Sequence, residues 1–561
     1  MIRSRSTVTK HTPLARRGLV VAEHPQGAEV GAAVLARGGN AVDAAVATAF
    51  AMTVVEPFMS TIGGSGTMIV HVARRGETHV VDFNVCAPLA GHESMYRLVG
   101  GVAQALFAWP RVADDANVHG YRSVAVPGSV AGLSLALERF GSMELRDVLA
   151  PAIQLAAGGF VHDWYLALTT AKFIEELSAF PASASTYLRN GRSVYRPPSL
   201  DGPGDVATYP DLAESLRLIA RDGADSFYRG PLGQAIVDHV RAHGGLLTQE
   251  DLTTYRAHVV PALRGRYRDL ELAFSPGATG GITALEMLNI LEQFPAAQVG
   301  AGSVAGLHRR AQASARAFAD RFAHLGDPAH VKAPWERLAS KEYARQVASE
   351  LRRRSAGGGK GSLPAATRRR GRPAGSEECT THICVVDGQR NMVALTHTAT
   401  STFGSRVVVP GTGILLGNGM IWFDPEPGKP NSVGPGKRAL VNVVPVLAFR
   451  REAPYLALGA PGGRRIISAI PQVVANLTDG RGSLQAAIEA PRLHVEGEEL
   501  MVDDRVGERT VEGLERLGHR VTPRTETYAT SNFAKPVGIR VTKQGLEAGL
   551  DQFRPAAAAG L

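Results

Sequence analysis

The sequence predicts an α+β protein, in which helices dominate the first two-thirds of the chain and strands become prominent in the last third. Helical patterns dominate residues 211–353, whereas apolar and polar residues alternate in residues 382–386 and 392–398. The chain has 561 residues, of which 44% are hydrophobic and 20% charged. A chain of this size and composition can bury a large core without disulfides.

The first predicted helices are marked by a change of residue type at Gly38, Gly39 and Asn40. These residues are typical of one helix ending and the next beginning, with Asn40 as the N-cap. Residues 41–54 are rich in Ala and Val, and their small side chains predict a tightly packed helix. Pro57 favours an end to this helix just before it.

A hairpin is predicted next, because residues 67–73 and 78–83 form two strand-like runs with a short polar turn between them. The glycine-rich residues 62–66 precede it. No Lys followed by Ser or Thr comes after these glycines, so a tight strand entry is favoured over a phosphate-binding loop.

The remaining elements follow from the same signals of periodicity and punctuation. Further helices are predicted at residues 126–140, 151–158, 211–220, 231–243, 249–255, 283–292, 303–323, 340–353, 466–477 and 483–490. Further strands are predicted as a pair near residues 259–274 and at residues 382–386, 392–398, 413–416, 442–449, 455–459, 494–502 and 538–541.

The composition changes at residues 355–378, which are crowded with Gly and Arg and contain Leu363 as their only large apolar residue. Such a segment cannot bury enough surface to offset its ordering entropy, so we predict that it is mobile. This region contributes much of the net charge of +9. Because no aromatic residues are interleaved with the arginines, nucleic-acid binding is disfavoured.

Several classes of protein are disfavoured by residues that the sequence lacks. The three cysteines, Cys86, Cys379 and Cys384, form no CxxC pair and favour a reducing compartment. The N-terminus lacks the apolar core of a signal peptide, and the longest apolar stretch, residues 41–55, contains Asp43 and is too short to span a bilayer. We therefore predict a cytoplasmic protein without a membrane span. The histidines show no HExxH or zinc-finger spacing, so no metal site is predicted.

The junction between the Gly/Arg-rich segment and the first strand after it carries the most informative chemistry. A plain interpretation is that Thr380 and Thr381 simply enter an edge strand. The alternative is self-cleavage between Cys379 and Thr380, which would leave Thr380 with a free α-amine beside its hydroxyl. An amine with a pKa of about 8 can accept the hydroxyl proton, so one residue would supply both nucleophile and base.

Two other features would complete a threonine site. If residues 382–386 and 392–398 pair as a hairpin, Thr398 returns to the level of Thr380, where its hydroxyl could steady the Thr380 amine. Gly462 and Gly463 follow a predicted strand and precede a predicted helix. Backbone N–H groups at such a position can bind the oxyanion of a tetrahedral intermediate.

Motifs along nearly the whole chain point in the same direction. They are Gly38-Gly39-Asn40-Ala41-Val42-Asp43-Ala44-Ala45, Val55-Glu56-Pro57, Gly63-Gly64-Ser65-Gly66, Val126-Pro127-Gly128-Ser129-Val130-Ala131-Gly132, Phe227-Tyr228-Arg229-Gly230, Glu250-Asp251-Leu252, Ala319-Asp320-Arg321, Gly326-Asp327-Pro328, Thr380-Thr381-His382, Thr402-Phe403-Gly404, Gly434-Pro435-Gly436-Lys437-Arg438 and Pro461-Gly462-Gly463. With these motifs in this order, the sequence resembles the gamma-glutamyltransferase family of N-terminal nucleophile (Ntn) hydrolases.

The resemblance implies a four-layer αββα sandwich and self-cleavage into a large subunit, residues 1–379, and a small subunit, residues 380–561, which form a heterodimer. It also implies that Thr380 is the nucleophile, Thr398 the supporting hydroxyl, and Gly462 and Gly463 the oxyanion donors. The implied reaction is acyl transfer to water or an amine through an acyl-threonine, with no cofactor.

The positions that read the glutamyl group in this family differ here. The arginine that grips the donor carboxylate falls on Glu93, within a residue, and the asparagine after the supporting threonine falls on Thr400. The other substrate-binding positions of the family fall on Gly419, Trp422, Val441 and Asn442.

These differences disfavour glutathione as the substrate, because a buried carboxylate needs a cationic partner. Trp422 and Val441 predict a larger, more apolar or aromatic acyl or leaving group. His92, Arg406 and Arg464 are the candidates for a replacement cation.

Our leading hypothesis is a self-processing threonine hydrolase or acyltransferase that acts on an acyl bond of a small molecule. The bond would be an amide, as for amidohydrolases and cephalosporin-type acylases, or a carbon–carbon bond beside a carbonyl. The alternatives are a true gamma-glutamyl transpeptidase or glutathione hydrolase with a rebuilt pocket, a carbon–carbon hydrolase of a natural-product pathway, and a non-catalytic relative that kept the fold.

Overall fold

The structure is a computed structural model that describes residues 8–12, 14–103, 107, 109–356, 379–480 and 482–561. The mobility predicted for residues 355–378 falls mainly on residues 357–378, which lie outside the described residues.

The chain forms eighteen α-helices and twenty-three strands within its described parts. The helices are α1 Pro25–Ala36, α2 Ala41–Val55, α3 Ser129–Phe140, α4 Leu145–Gly158, α5 Trp164–Lys172, α6 Ile174–Ser178, α7 Pro181–Tyr187, α8 Pro210–Asp222, α9 Asp225–Tyr228, α10 Pro231–Ala242, α11 Gln249–Thr254, α12 Gly281–Glu292, α13 Val304–His324, α14 Trp335–Ala339, α15 Lys341–Ala356, α16 Arg465–Asp479, α17 Leu484–Glu489 and α18 Glu508–Arg516. The strands are β1 Leu14–Ala15, β2 Leu19–Ala22, β3 Ser65–Val72, β4 Glu77–Phe83, β5 Leu98–Val102, β6 Pro110–Val112, β7 Phe160–Val161, β8 Val206–Ala207, β9 His258–Pro261, β10 Leu263–Tyr267, β11 Leu270–Phe274, β12 Thr381–Val386, β13 Met392–Thr398, β14 Val408–Val409, β15 Ile414–Leu415, β16 Val446–Arg450, β17 Ala453–Gly459, β18 Leu493–His494, β19 Glu499–Asp503, β20 Arg520–Arg524, β21 Val537–Val541, β22 Leu546–Gly549 and β23 Ala557–Gly560.

Two seven-stranded sheets form the centre of the molecule. The first sheet has the order β23-β2-β12-β13-β3-β4-β9, and the second has the order β1-β22-β21-β17-β16-β11-β10. All pairings within these two sheets are antiparallel. Both sheets mix strands from the beginning of the chain with strands from its last third.

Apolar side chains from the two sheets meet in a shared core. Cys384 and Ala394 of the first sheet belong to the same buried cluster as Leu447 and Ile539 of the second. A separate cluster joins the other face of the first sheet to α2, α3 and α4, and another joins the other face of the second sheet to α12, α13 and α16. Each sheet therefore has one face toward its partner sheet and one face covered by helices.

Helix α2 confirms the prediction made from its small residues. Asn40 is the N-cap of α2, and its side chain and that of Asp43 form a reciprocal capping box. Every residue of α2 is buried. The hairpin of β3 and β4 also confirms its prediction, with seven cross-strand pairs from Gly66–Phe83 to Val72–Glu77.

Other predictions were wrong in detail. The helix predicted to begin at Pro151 begins at Leu145 and continues through Pro151, despite the missing N–H donor and the crowding of the proline ring against the preceding turn. The strand pair near residues 259–274 is three strands, of which β9 joins the first sheet and β10 and β11 the second. The helices α5 to α7, the helix α18 and the strands β20, β22 and β23 were not predicted.

Within the described ranges, none of the helices is both long and apolar enough to cross a membrane.

Candidate active site

The two threonines singled out in the sequence lie side by side at the open end of the β12–β13 hairpin. The last pair of the ladder is Thr381 with His397, so the next step outward brings Thr380 opposite Thr398. Their Oγ1 atoms are 3.2 Å apart, and both side chains are buried. The prediction that the hairpin returns Thr398 to the level of Thr380 is therefore confirmed.

The carbonyl oxygen of Cys379 is the common partner of both hydroxyls. The hydroxyl of Thr380 donates a hydrogen bond to this oxygen, and Thr398 Oγ1 donates to it over 3.2 Å. Thr398 Oγ1 in turn accepts a 2.8 Å hydrogen bond from the backbone N–H of Thr400. Because the Thr400 N–H occupies a lone pair of Thr398 Oγ1, the Thr398 hydroxyl is oriented to donate its hydrogen bond to the Cys379 carbonyl oxygen.

The peptide bond between Cys379 and Thr380 is held on both sides by the loop after α2. Cys379 Sγ lies 2.6 and 2.9 Å from the carbonyl oxygens of Phe58 and Met59, which share the single thiol proton. The N–H of Thr380 donates to Met59 Sδ at 3.3 Å. Burial raises the pKa of the Cys379 thiol well above its ordinary value, so the sulfur serves as a neutral donor.

Thr400 belongs to the turn that positions Thr398. It is buried and adopts a φ of 87°, in the left-handed region that a β-branched residue rarely occupies. The next residue, Ser401, is fixed by Asn418, which accepts from the Ser401 N–H at 3.0 Å and donates to its Oγ at 2.7 Å. Thr400, which was predicted to contact substrate, therefore contacts the Thr398 hydroxyl through its backbone N–H.

Gly462 and Gly463 connect β17 to α16, as predicted. Their φ angles of 137° and 55° favour glycine. Among the described residues, neither backbone N–H donates a hydrogen bond within the protein. The segment lies beside β12, since Gly459 packs so closely on the His382 ring that a Cβ there would lie 2.1 Å from it.

A cavity of about 220 Å³ opens near this segment. Its walls combine aromatic rings with charged and amide side chains, namely Phe107, Trp109, Arg321, Phe322, Leu325, Trp422, Asp424, Glu426, Lys429, Asn431, Leu440, Asn442 and Arg464. Two predicted substrate-binding residues, Trp422 and Asn442, are among them. Thr380 and Thr398 are not among the described residues that line it, and Arg464 is the lining residue that directly follows Gly463.

The other residues predicted to bind substrate lie elsewhere. Val441 is buried in the apolar cluster that contains Trp422. Gly419 lies in a buried turn where a Cβ would come within 2.8 Å of Ala125 and Val85. Glu93 is exposed and accepts a 3.1 Å hydrogen bond from the N–H of Gly428. Glu93 therefore fastens a surface loop, and it is absent from the described lining of the cavity.

Arg464 is the candidate cation that the structure brings to the cavity. Its guanidinium lies 5.0 Å from the Phe107 ring, 4.6 Å from the Trp109 ring and 5.0 Å from the Phe322 ring. It also forms an ion pair with Glu496 at 3.2 Å. Burial would raise the pKa of Glu496, but Arg464 and His494 outweigh it and lower this pKa to about 2.

The other two candidate cations lie outside the cavity lining. His92 is exposed, and Arg406 is buried, where it donates to Ser401 Oγ and to the carbonyl of Gly404.

Arg321 was not predicted as a site residue, although it lies in one of the quoted motifs. It is fully buried and donates to the carbonyls of Thr279 and Val441 and to Asn442 Oδ1, at 2.9 to 3.0 Å. Burial, and then the charge of Arg464, lower the pKa of Arg321 to about 9. No periodicity distinguishes such a residue, because its role depends on carbonyls 42 to 120 positions away.

Comparisons with known proteins agree with this geometry. The family model described as Gamma-glutamyltranspeptidase matches residues 27–561. The acylase ACY 1 proenzyme of Pseudomonas sp. (strain SE83) is 38% identical over 517 residues, which cover 92% of this chain and 89% of that protein. The glutathione hydrolase proenzyme of Escherichia coli (strain K12) is 34% identical over 532 residues, which cover 91% and 87%.

A solved structure extends the likeness to the fold. The crystal structure of a cephalosporin acylase from Bacillus halodurans superimposes with a TM-score of 0.84 at 27% sequence identity, covering 100% of this chain and 99% of that one.

Proposed function

Because this chain belongs to the gamma-glutamyltranspeptidase family of hydrolases and acyltransferases, we propose that it is a self-processing enzyme whose nucleophile is Thr380. One observation carries the proposal. The hydroxyls of Thr380 and Thr398 converge on the carbonyl oxygen of Cys379, at the peptide bond where the mobile segment was predicted to end. The acylase and glutathione hydrolase relatives are both named as proenzymes, which supports the proposal of self-processing.

Self-cleavage would begin when Thr380 Oγ1 attacks the carbonyl carbon of Cys379. The Thr398 hydroxyl, 3.2 Å from the carbonyl oxygen, would stabilise the negative charge that develops there. The C–N bond then breaks, and the Thr380 nitrogen takes up the hydroxyl proton to become an amine. Water would hydrolyse the resulting ester, which leaves a carboxylate on Cys379 and a free α-amine on Thr380.

Catalysis would reuse the same parts on a substrate. The new α-amine accepts the Thr380 hydroxyl proton, and Oγ1 attacks the substrate carbonyl. The N–H groups of Gly462 and Gly463, which make no internal hydrogen bond within the described chain, would hold the oxyanion. The acyl group passes to Thr380 and then to water or an amine. No step requires a cofactor.

The fold that we propose is the four-layer αββα sandwich, with the helix clusters covering the outer faces of the two packed sheets. Residues 1–379 and 380–561 would then be the large and small subunits of a heterodimer.

For the substrate, we propose a small-molecule amide with an apolar or aromatic acyl group. The aromatic walls of the cavity, with Trp422 and Asn442 at two of the predicted substrate positions, support this choice. A similar acylase proenzyme supports it as well. Glu93 lies exposed on the surface and supplies no positive charge to bind an α-carboxylate, which argues against glutathione.

Denaturing electrophoresis of the purified protein tests the cleavage. We expect two fragments, residues 1–379 and 380–561, whereas Thr380→Ala should remain one band and Thr380→Ser should still be cut. A wild-type protein that stays full-length would refute self-processing. Assays with phenylacetyl p-nitroanilide and gamma-glutamyl p-nitroanilide then test the substrate class, and faster turnover of the glutamyl compound would show the pocket argument to be wrong.

A further inference from the structure

A second, smaller pocket lies against the residues that hold the scissile peptide bond. It has a volume of about 30 Å³ and is lined by Phe58, Met59, Tyr165, Thr169, Lys172, Phe173, Thr402, Ala529, Ser531 and Arg554. Phe58, Met59 and Arg554 are buried, whereas Lys172 and Ala529 are exposed. The pocket therefore runs from the surface to a buried floor.

The floor of this pocket contacts both sides of the bond between Cys379 and Thr380. The carbonyl oxygens of Phe58 and Met59 accept a shared hydrogen bond from the Cys379 thiol. Met59 Sδ accepts a hydrogen bond from the N–H of Thr380. Only the side chain of Met59 would therefore separate a molecule bound in the pocket from the backbone of Thr380.

The pocket carries two positive charges that lack an ion-pair partner. In the described part of the chain, no carboxylate lies within 4.0 Å of Arg554 or Lys172. The Arg554 guanidinium donates to Ser531 Oγ and lies 4.3 Å from the Tyr165 ring, and Lys172 Nζ donates to the carbonyl of Ala529 at 3.0 Å. Burial, and then the charge of Arg554, lower the pKa of Lys172. The two cations repel each other, and a bound anion would relieve this repulsion.

The nearest acidic groups do not supply that anion. Burial raises the pKa of Glu23 to about 8 and that of Glu56 well above its ordinary value, which favours the neutral form of both carboxyls. Burial would raise the pKa of Asp551, but Lys535, Arg492 and Arg554 outweigh it and lower this pKa. Asp551 forms its ion pair with Arg492, at 3.4 Å. Arg554 therefore has a more distant charge partner in Asp551 but no carboxylate at ion-pair distance, which leaves room for an external carboxylate at the pocket.

We propose that this pocket, through Arg554 and Lys172, is a carboxylate-binding subsite beside the nucleophile. Its volume is that of about two water molecules, which matches a carboxylate group. This inference rests on the proposed function, because both molecules that could supply the carboxylate depend on that function. One is a substrate that carries a carboxylate, and the other is the new C-terminal carboxylate of Cys379, which self-cleavage would release at the pocket floor.

Calorimetric titration with glutarate tests the subsite without requiring turnover. The protein is titrated as the processed wild type and as the uncut Thr380→Ala variant, and uncharged glutaramide serves as the control ligand. We expect glutarate to bind and glutaramide not to bind. Arg554→Met and, on the exposed rim, Lys172→Met should each weaken glutarate binding by about tenfold or more, because a charge-assisted hydrogen bond is lost. Arg516→Met, which removes an exposed charge on α18, should leave the binding unchanged.

The two sources give different results. Binding to both protein forms supports a substrate carboxylate, whereas binding to the uncut variant alone supports occupation by Cys379 in the processed enzyme. If glutarate binds neither form, or if its affinity is insensitive to both Arg554→Met and Lys172→Met, the subsite is refuted. Failure of the proposed function is seen separately, as a wild-type protein that electrophoresis shows to be uncut.

Discussion

Replacing Thr398 with valine would remove one hydroxyl from the centre of the site while keeping the side-chain shape. Thr398 is fully buried, and its Oγ1 lies 3.2 Å from both the Thr380 hydroxyl and the Cys379 carbonyl oxygen. The substitution deletes a donor to the oxygen on which negative charge would develop during the proposed self-cleavage. It also leaves the Thr400 N–H without the acceptor that it reaches at 2.8 Å.

Both losses have an expected size. Removing one oxyanion donor typically slows a reaction by about 10²–10³-fold, so self-cleavage of Thr398→Val should slow by roughly that factor. A buried N–H left without a partner costs about 1–3 kcal/mol, so the melting temperature should fall by a few degrees. The cleavage rate would be measured by electrophoresis of samples taken over time after synthesis.

The matched control is Thr398→Ser, which keeps the hydroxyl and should cleave at nearly the wild-type rate. If Thr398→Val cleaves within about threefold of the wild type, the hydroxyl does not stabilise the developing charge, and the argument from these distances fails.

Three other outcomes follow from the structure. Trp422→Ala should lower kcat/KM by about tenfold or more for an aromatic acyl amide but not for an acetyl amide, because the ring forms a wall of the cavity; equal losses would contradict that role. The folded-state pKa of Glu23 is about 8 and exceeds its unfolded value, so its contribution to stability is complete below about pH 4.5 and is lost as the pH rises toward 8. Chemical denaturation across this range should therefore show a shallower decline for Glu23→Gln than for the wild type. Asn40→Ala, which removes the α2 cap, should lower the free energy of unfolding measured in urea by about 1 kcal/mol. The rate of self-cleavage should stay unchanged, which would show that the effect is confined to α2.

The pairing of Thr380 with Thr398 could be predicted from sequence because it depends on local register. Two alternating runs joined by the polar residues 387–391 can pair as a hairpin, and the pairing fixes which residues face each other at its open end. The cap at Asn40 and the glycines before α16 were predictable for the same reason, since each signal lies within a few residues of its effect.

The cavity and the charged pocket could not be predicted in this way. Trp109, Phe322 and Trp422 come from separate parts of the chain and meet only because the two sheets and their helices are packed together. Glu93 was assigned to substrate binding from the family resemblance, and a matching position in the sequence does not show whether a side chain points inward or toward solvent. Arg554 lies near the C-terminus, more than 150 residues from Thr380, and no local pattern marks it.

The interleaved sheets affect how the protein must be made. Strand β2 pairs with β12 on one side and with β23 on the other, and β1 pairs with β22. If the chain is cut before Thr380, the strands β1 and β2 belong to one fragment and their neighbours β12, β22 and β23 to the other. The fragments could then separate only by breaking backbone ladders inside the core. We therefore expect that the two pieces stay together in native buffers, and that pieces synthesised separately fail to assemble, since the order of strands is set while the polypeptide is continuous.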